Sequence, residues 1–556
     1  MKQPYLKLVL WKCRVGVVAG CWLVSANAQP TFTALTIDNP TPDAVTNFGV
    51  AVAGVGDVNG DGIPDLLVGA DQQDVDGIEG QGRACVFSGA DGSLLRILNN
   101  PDLQSGRFGF AVAGVGDVNG DGVPDLLVGA LEQDVGGNAG QGQAFVFSGA
   151  NGSLLHTLTT PTPQAEAFFG FALAGVGDVN SDGTPDILVG APGQGVNDQG
   201  QAFVFSGANG SLLHTLNNPT PQVDAFFGLA VAGTGDVNGD GSRDLLVGAP
   251  DQDVEANFNQ GRAFVFSGAT GSLLHTLNDP TPQADALFGS ALAGVRDVNG
   301  DGVSDLLVGA PAQDVGGNHN QGQVFVFSGV NGSLLHTLNH PKSQAEANFG
   351  DAVAGLEDDV NSDSTDLLVG APALGMGQAF VFSGANGSLL RTLDDPTPQG
   401  GGSFGDAVAG VGDVNGDSTP DLLVGAPFEQ VGGNVAQGRA FLFVSTPIEV
   451  VVNILPPSIN PKSQGVIPVA ILTTPEFNAT SVNPLSVHFG SSGATEAHAQ
   501  GHLEDVDGDG DTDLLLHFRT QETGIVCGNT QASLIGKTFA GEPIHGSDSF
   551  ITVGCP

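Results

Sequence analysis

The chain has 556 residues and a formal net charge of −44, and it is rich in glycine (85 residues) and proline (32 residues). So many turn-forming residues exclude an architecture of long helices, and a composition of 40% hydrophobic and 14% charged residues excludes a disordered chain. The acidic excess makes nucleic acid and anionic membranes poor partners and divalent cations good ones.

The first 28 residues have the pattern of a secretory signal peptide. Four basic residues precede an apolar run over residues 15–25, and a small-residue cleavage site follows at residues 26–28. We predict cleavage after Ala28 and a secreted or cell-surface protein, with a lipid anchor at Cys21 as the alternative. No other apolar run approaches membrane-spanning length. Cleavage removes four of the 16 Lys and Arg residues and no Asp or Glu, which leaves a net charge of −48.

Seven sequence repeats follow, with a period of about 60 residues. Each begins at a Phe-Gly pair and runs through an apolar segment and an acidic loop into a buried-strand pattern such as residues 66–70. A later strand, such as residues 144–147, leads through an Asn-Gly turn into a last strand, such as residues 154–158. Four short antiparallel strands per repeat, arranged around an axis, predict an all-β fold with a seven-bladed β-propeller at residues 29–446.

The two ends of the repeat region complement each other. The seventh repeat departs at Thr446 without its last strand, and residues 32–37 align with that missing strand. We therefore predict that the N-terminal strand completes the seventh blade and protects its sheet edge.

Every repeat carries a version of the loop D-x-N-x-D-G-x-x-D. Oxygen-bearing side chains at positions one, three, five and nine, with a glycine at position six, suit calcium, which takes six to eight oxygen ligands. Ordinary acidic turns are the alternative, but seven copies favour a metal, and the nearly complete shell favours a structural ion. Five loops keep the pattern: Asp57, Asn59, Asp61, Asp65; Asp117, Asn119, Asp121, Asp125; Asp178, Asn180, Asp182, Asp186; Asp236, Asn238, Asp240, Asp244; and Asp297, Asn299, Asp301, Asp305.

The last two loops of the repeat region are altered. The seventh keeps Asp413, Asn415, Asp417 and Asp421 but has Ser418 in place of glycine, which costs about 1 kcal/mol if that residue needs a positive φ. We expect weaker binding there. The sixth, at residues 359–366, is one residue short and lacks the glycine, so we expect it to be damaged or empty.

The Phe-Gly starts, the acidic loops and the Gly-Ala-Pro triplets that follow them resemble FG-GAP repeats, the repeats of the integrin α-subunit propeller. The triplets are at residues 190–192, 248–250, 309–311, 370–372 and 425–427, whereas residues 69–71 and 129–131 depart from the pattern. The resemblance strongly implies the propeller fold and only weakly implies a function.

Residues 447–556 have a different composition, and their short apolar runs between Pro, Asn and Gly predict a small, sandwich-like all-β domain. It has its own calcium-type loop, with Asp505, Asp507, Asp509 and Asp513 in ligand register. The segment resembles accessory domains at the ends of exported bacterial proteins. His502 and His517 flank the loop, and we expect them at the surface, with an indirect role at the metal as the alternative.

Three cysteines remain after the predicted cleavage. Cys85 replaces a phenylalanine of the other repeats, and we expect a buried free thiol. Cys527 and Cys555 bracket one C-terminal segment, and export favours a disulfide between them over two free thiols.

Binding is favoured over catalysis. His156, His214, His275 and His336 recur in the outermost strand and are expected on an exposed strand face, and no familiar catalytic motif is present. We expect a non-enzymatic adhesion or interaction scaffold that is a monomer and whose ligand is an extracellular protein or polysaccharide. The alternatives are a polysaccharide hydrolase or lyase and a lectin, although phenylalanine is the only ring besides histidine left for sugar stacking.

Overall fold

The computed structural model describes residues 31–356, 365–372, 375–417, 419–539 and 543–555. The predicted signal peptide, with Cys21, lies outside these residues. The described chain falls into two units, residues 31–446 and residues 447–556. No helix in the described ranges is long and apolar enough to span a bilayer.

Seven four-stranded antiparallel sheets form the first unit, which confirms the all-β propeller class. Each sheet is one blade. The strands, in chain order, are β1 (Thr31–Asp38), β2 (Phe48–Gly56), β3 (Asp65–Ala70), β4 (Arg83–Phe87), β5 (Leu94–Asn99), β6 (Phe108–Gly116), β7 (Asp125–Ala130), β8 (Gln143–Phe147), β9 (Leu154–Leu158), β10 (Leu173–Gly177), β11 (Asp186–Ala191), β12 (Gln201–Phe205), β13 (Leu212–Asn217), β14 (Val231–Gly233), β15 (Leu245–Ala249), β16 (Arg262–Phe266), β17 (Leu273–Asn278), β18 (Ala291–Val295), β19 (Asp305–Ala310), β20 (Gln323–Phe327), β21 (Leu334–Asn339), β22 (Val353–Leu356), β23 (Asp366–Ala371), β24 (Gln378–Ser383), β25 (Leu389–Asp394), β26 (Val408–Gly412), β27 (Asp421–Ala426) and β28 (Arg439–Thr446).

The second strand of a blade is buried on both faces, which explains its continuous apolar sequence. Every residue of β7 is buried, and the strand lies between β6 and β8. Its Gly129 allows the next blade to approach, because a Cβ there would lie 2.2 Å from the carbonyl oxygen of Gly170. The Gly-Ala pair of each repeat is therefore a packing requirement between blades.

The apolar core lies between neighbouring blades. Phe108, from a Phe-Gly pair, is fully buried, and its ring centroid is 5.9 Å from those of Phe145 and Phe147 on β8. The same cluster includes Leu67 and Val86 of the preceding blade. In the first blade Cys85 takes the place of one phenylalanine as a buried free thiol, as predicted. Burial raises the pKa of this thiol to about 12.

The N-terminal strand closes the propeller, as predicted. β1 pairs antiparallel with β28 over eight consecutive positions, so the sheet order is β1-β28-β27-β26. Ile37 is buried in the core of this junction. The guanidinium of Arg439 lies 2.8 Å from the carboxylate of Asp38 at the end of the strand.

The second unit is also all-β. A five-stranded and a four-stranded sheet contribute to one apolar core, with a two-stranded sheet beside them. Its strands are β29 (Ile448–Glu449), β30 (Val451–Ile454), β31 (Ser458–Ile459), β32 (Val466–Leu472), β33 (His488–Phe489), β34 (Ala494–Thr495), β35 (His502–Glu504), β36 (Asp513–Arg519), β37 (Gln531–Lys537), β38 (Pro543–Ser549) and β39 (Ile551–Thr552), and its 3-10 helices are Ala479–Ser481, Pro484–Ser486 and Thr520–Glu522. Cys527 and Cys555 form the expected disulfide.

The closing strand should contribute measurably to stability. Replacement Ile37→Ala removes a buried side chain at the junction, so we expect a loss of about 2–5 kcal/mol in the free energy of unfolding. Thr36→Ala, on the exposed face of the same strand, should change it by less than about 0.5 kcal/mol. Denaturant unfolding followed by circular dichroism measures both. Equal effects of the two substitutions would contradict a role of β1 in closure.

Candidate metal-binding loops and the propeller channel

The acidic loops join the first and second strands of the blades, and the five loops described in full share one pattern of backbone hydrogen bonds. In the second blade the carboxylate of Asp117 accepts hydrogen bonds from the backbone N–H groups of Gly120 and Gly122, each at 2.7 Å. The side-chain oxygen of Asn119 accepts from the N–H of Asp121 at 2.9 Å. The first three oxygen-bearing side chains are thus gathered at an exposed turn.

The aspartate at position nine differs from the others because it is fully buried. One carboxylate oxygen of Asp125 accepts from the N–H of Val118 at 2.9 Å, and the other accepts from the N–H of Gly149 at 3.0 Å. Val118 belongs to the loop itself, and Gly149 belongs to the turn between the third and fourth strands. The carboxylate therefore fastens the acidic loop to that turn. The equivalent residues with the same pair of bonds are Asp65, Asp186, Asp244 and Asp305; Asp421 also accepts two backbone N–H groups, and its second donor is Ser445 of β28.

Burial also makes these carboxylates less acidic. It raises the pKa of Asp244 and Asp305 to about 6 and that of Asp421 to about 7. Backbone hydrogen bonds oppose this rise, and the other aspartates of each loop add to it. A neighbouring positive charge would relieve the cost of ionising them.

The altered loops are described in part. In the seventh, the amide nitrogen of Asn415 donates to the carbonyl oxygen of Ser445 at 2.6 Å and to the carboxylate of Asp417 at 3.0 Å. Residue 418 lies outside the described residues, so the expected backbone strain stays a prediction. The same holds for the sixth loop, of which residues 359–364 lie outside the described ranges.

The loop of the second unit brings its carboxylates closest together. Oxygens of Asp505, Asp507 and Asp513 lie within 4.8 Å of one another, which makes this the one carboxylate trio so close in the described part of the chain. Asp513 repeats the role of position nine, because it accepts from the N–H groups of Val506 at 2.9 Å and Thr473 at 2.8 Å. The same loop design therefore serves two different folds.

The donor chemistry of the loops fits a hard divalent cation. In the first loop the amide nitrogen of Asn59 donates to the carboxylate of Asp61 at 2.9 Å and to that of Asp65 at 3.3 Å, so the positive end of a dipole already lies between two acidic groups. Gly60 and Gly62 adopt positive φ angles and have open space beside them. Carboxylate, carboxamide and backbone oxygens are the ligands that calcium prefers.

The opposite end of the propeller carries the longer connections, namely those between the second and third strands and those between successive blades. We call this end the connection face. Two neighbouring connections are tied together where the N–H of Glu166 donates to the carbonyl oxygen of Ala139 at 2.8 Å and that of Phe168 to Gly140 at 3.2 Å. The acidic loops and the connection face are thus at opposite ends of every blade, because the strands are antiparallel.

The residue before each Phe-Gly pair has a left-handed backbone in all seven blades. This conformation costs about 1–2 kcal/mol for a residue with a side chain, so its recurrence indicates a position fixed by its surroundings. These residues, which we call the mouth ring, are Asn47, Arg107, Phe168, Phe226, Leu287, Asn348 and Ser403. The ring has no common chemistry, as expected where the scaffold fixes the backbone and leaves the side chains free to vary.

A cavity of about 270 Å³ lies among the first strands of the blades. The residue that follows the Phe-Gly pair is apolar in the first four blades and polar in the last three. The apolar residues are Val50, Phe110, Phe171 and Leu229, and the ring centroids of Phe110 and Phe171 are 5.0 Å apart. Ser290, Asp351 and Asp406 follow. We call this cavity the channel.

Two charged features of the propeller were not predicted from the sequence. The surrounding strands desolvate the half-buried carboxylate of Asp406, and together with the charges of Asp351 and Asp71 this raises its pKa to about 7. Asp71, which replaces the proline of a Gly-Ala-Pro triplet, forms a buried ion pair with Arg107 of the mouth ring. The guanidinium of Arg107 also lies 4.8 Å from the centroid of the Phe110 ring.

The prediction for the outer-strand histidines is wrong. His156, His214, His275 and His336 are half-buried rather than exposed. A ring nitrogen of His156 lies 2.8 Å from the carbonyl oxygen of Gly207, and one of His214 lies 2.9 Å from that of Gly268, each in a turn of the next blade. These side chains therefore connect neighbouring blades.

Comparison with known proteins agrees with this architecture. The FG-GAP repeat family matches residues 48–87, 108–147, 169–205, 227–266, 288–327 and 404–443. The sixth unit, which has the shortened loop, lies outside the matched ranges. Six of the seven units of the propeller therefore match this repeat family.

Integrin α subunits are among the relatives found. The chain is 30% identical to integrin alpha-5 of Xenopus laevis over 44% of its length, 33% identical to integrin alpha-11 of Homo sapiens over 39%, and 39% identical to integrin alpha-IIb of Mus musculus over 26%. The matches span 24%, 18% and 15% of those proteins. The chain thus contains an integrin-α-like propeller and covers less than a quarter of these curated relatives.

Asp406, which lines the channel, should make stability depend on pH. The raised pKa of Asp406 means that its contribution to stability is fully present below the ordinary aspartate pKa and is lost as the pH rises towards about 7. Asp406→Asn cannot ionise, so we expect this variant to melt above the wild type at about pH 8 and the difference to shrink by about pH 5.

The exposed Asp43→Asn is the control for this substitution. Thermal melts of the three proteins across the pH range, followed by circular dichroism, give the comparison. A difference between Asp406→Asn and wild type that does not change with pH would contradict the raised pKa.

Proposed function

We propose that the protein is an exported, calcium-stabilised β-propeller that acts as a non-enzymatic adhesion or interaction scaffold for an extracellular protein or polysaccharide. The similarity to integrin α subunits supports a scaffold of this type. The predicted signal peptide supports export, and the acidic composition suits a partner other than nucleic acid.

The distribution of exposed apolar side chains carries the proposal for binding. Eight large apolar residues of the connection face are exposed: Val45, Leu103, Val196, Val223, Phe258, Met376, Phe428 and Val435. At the other end, Val330 is the one exposed residue of this kind within the acidic loops and turns among the described residues. The exposed leucines that begin the fourth strands, such as Leu94 and Leu154, lie on the outer strands of the blades instead. Exposed apolar side chains within a polar surface are typical of interaction sites. We therefore place the ligand on the connection face.

Calcium has a structural role in this proposal. Aspartate and asparagine side chains of positions one, three, five and nine would hold it in loops one to five, in the seventh loop and in the loop of residues 505–513. The ion supplies positive charge that offsets the repulsion among the carboxylates. The buried aspartate then joins the loaded loop to the adjacent turn, so that metal binding stabilises the blade rather than the loop alone.

The binding proposal is tested by presenting the full chain to arrays of extracellular proteins and polysaccharides. We expect retention on at least one class and a several-fold loss with Phe258→Ser, whose side chain is 69% exposed on the connection face. Val330→Ser, 46% exposed at the opposite end, is the matched control. Hydrolysis of any retained polysaccharide would instead support the alternative enzyme, and equal losses in the two variants would contradict the placement on the connection face.

The calcium proposal predicts different effects for two neighbouring aspartates. With excess chelator, Asp121→Asn should leave the free energy of unfolding within about 0.5 kcal/mol of wild type, because this side chain is exposed. Asp125→Asn should lower it by about 1–3 kcal/mol, because an amide replaces one acceptor of a buried N–H group.

With calcium present, both variants should lose one binding site in titration calorimetry. The wild type should also melt at a higher temperature with calcium than with chelator, because the ion binds the folded state. Unchanged melting on chelation would contradict the metal role, whereas the effect of Asp125→Asn with chelator tests the hydrogen bonds alone.

A further inference from the structure

Three histidines of the second unit lie together beside the four-stranded sheet. His502 begins β35, where it pairs with Leu515 of β36, and His517 lies two residues further along β36. Residues two apart on a strand share a face, so His502 and His517 are neighbours. The N–H of Ala497 donates to the carbonyl oxygen of His517 at 2.7 Å, which holds His498 beside the same strand.

The three imidazoles are close enough to share a ligand. Their ring centroids are 5.2 Å apart for His498 and His517, 5.4 Å for His502 and His517, and 6.0 Å for His498 and His502. One ring nitrogen of each lies within 4.8 Å of the others. Three nitrogens around a tetrahedral zinc ion are about 3.3 Å apart, because each zinc–nitrogen bond is about 2.0–2.1 Å. Small rotations of the exposed His498 and His502 are sufficient to reach that geometry.

A buried carboxylate supports the cluster from behind. The side chain of Glu496 is 1% exposed, and one of its oxygens lies 3.4 Å from Nδ1 of His498. The same carboxylate accepts from the backbone N–H of His498 at 2.5 Å and from that of His517 at 3.2 Å. A carboxylate that engages one ring nitrogen of a histidine orients the ring and leaves Nε2 available as a ligand, as in many metal sites.

The cluster also contains an unsatisfied polar atom. Nδ1 of His517 is buried and has no hydrogen-bond partner among the described residues. His517 and His502 line a cavity of about 610 Å³ together with Gln500 and Glu504. Buried polar atoms without partners are rare, and this nitrogen is therefore available to a ligand. The adjoining cavity gives an ion access to it.

We propose that His498, His502 and His517 bind one divalent transition-metal ion of the zinc type. Imidazole nitrogen suits zinc and its neighbours in the periodic table, whereas the all-oxygen loop that begins at Asp505 suits calcium. The second unit therefore has two adjacent sites for metals of different character. Three protein ligands leave one tetrahedral position for water or for the carboxylate of Glu504.

The test uses the full chain in saturating calcium, which fills the acidic loops, with Zn²⁺ as the probe. We expect calorimetry to give one zinc equivalent, and Co²⁺ in its place to give the visible absorption of tetrahedral nitrogen coordination. His498→Gln and His502→Gln should each weaken zinc binding by about tenfold or more. Both side chains are exposed, so the variants should keep the wild-type circular dichroism spectrum.

His545→Gln is the matched control, since His545 belongs to the same unit and contacts Glu449 instead of the cluster. Its zinc affinity should stay within about twofold of wild type. Asp507→Asn should also retain zinc binding, because it alters only the oxygen loop. The proposal is wrong if the wild type binds no zinc, if His498→Gln and His502→Gln leave the affinity unchanged, or if His545→Gln reduces it equally.

Discussion

One buried carboxylate accepts hydrogen bonds from two backbone N–H groups, and these bonds hold an acidic loop against a turn that the sheet itself does not connect to it. In the second blade, Asp125 begins a fully buried strand and holds both the loop before it, through Val118, and a distant turn, through Gly149. A buried carboxylate is costly unless its oxygens are hydrogen-bonded, and here each oxygen accepts a backbone donor. The loop packs closely against the turn because Gly149 has no side chain. A Cβ at this position would lie 1.7 Å from the carbonyl oxygen of Pro124.

This arrangement divides the propeller into a stiff end and a variable end. At the acidic end, side chains of fixed type hold backbone groups in place in blade after blade. At the connection face, the backbone positions of the mouth ring recur while the side chains range from Arg107 to Phe168 and Ser403. A rigid scaffold with variable loops is the usual design of a recognition surface.

The fold could be predicted from the sequence because the same pattern of strands, turns and buried positions recurs from repeat to repeat. The N-terminal closing strand could also be predicted, since residues 32–37 complete an incomplete repeat. The histidine cluster could not, because His502 and His517 are brought together by strand pairing within an unrepeated domain. His156 was misjudged for a related reason: its position in an outer strand indicated exposure, whereas its contact lies in the neighbouring blade. Contacts between repeats leave no periodic signal of their own.

The same turns connect the acidic loops to the contacts between blades. Gly207 donates its N–H to Asp186 of its own blade at 3.1 Å, and its carbonyl oxygen lies 2.8 Å from the ring of His156 in the preceding blade. Gly268 repeats this with Asp244 and His214. A change in one acidic loop therefore acts on the turn, and through the turn on the next interface. Because hydrogen-bonded groups of one network are energetically coupled, an ion that orders one loop would also strengthen the junction between two blades.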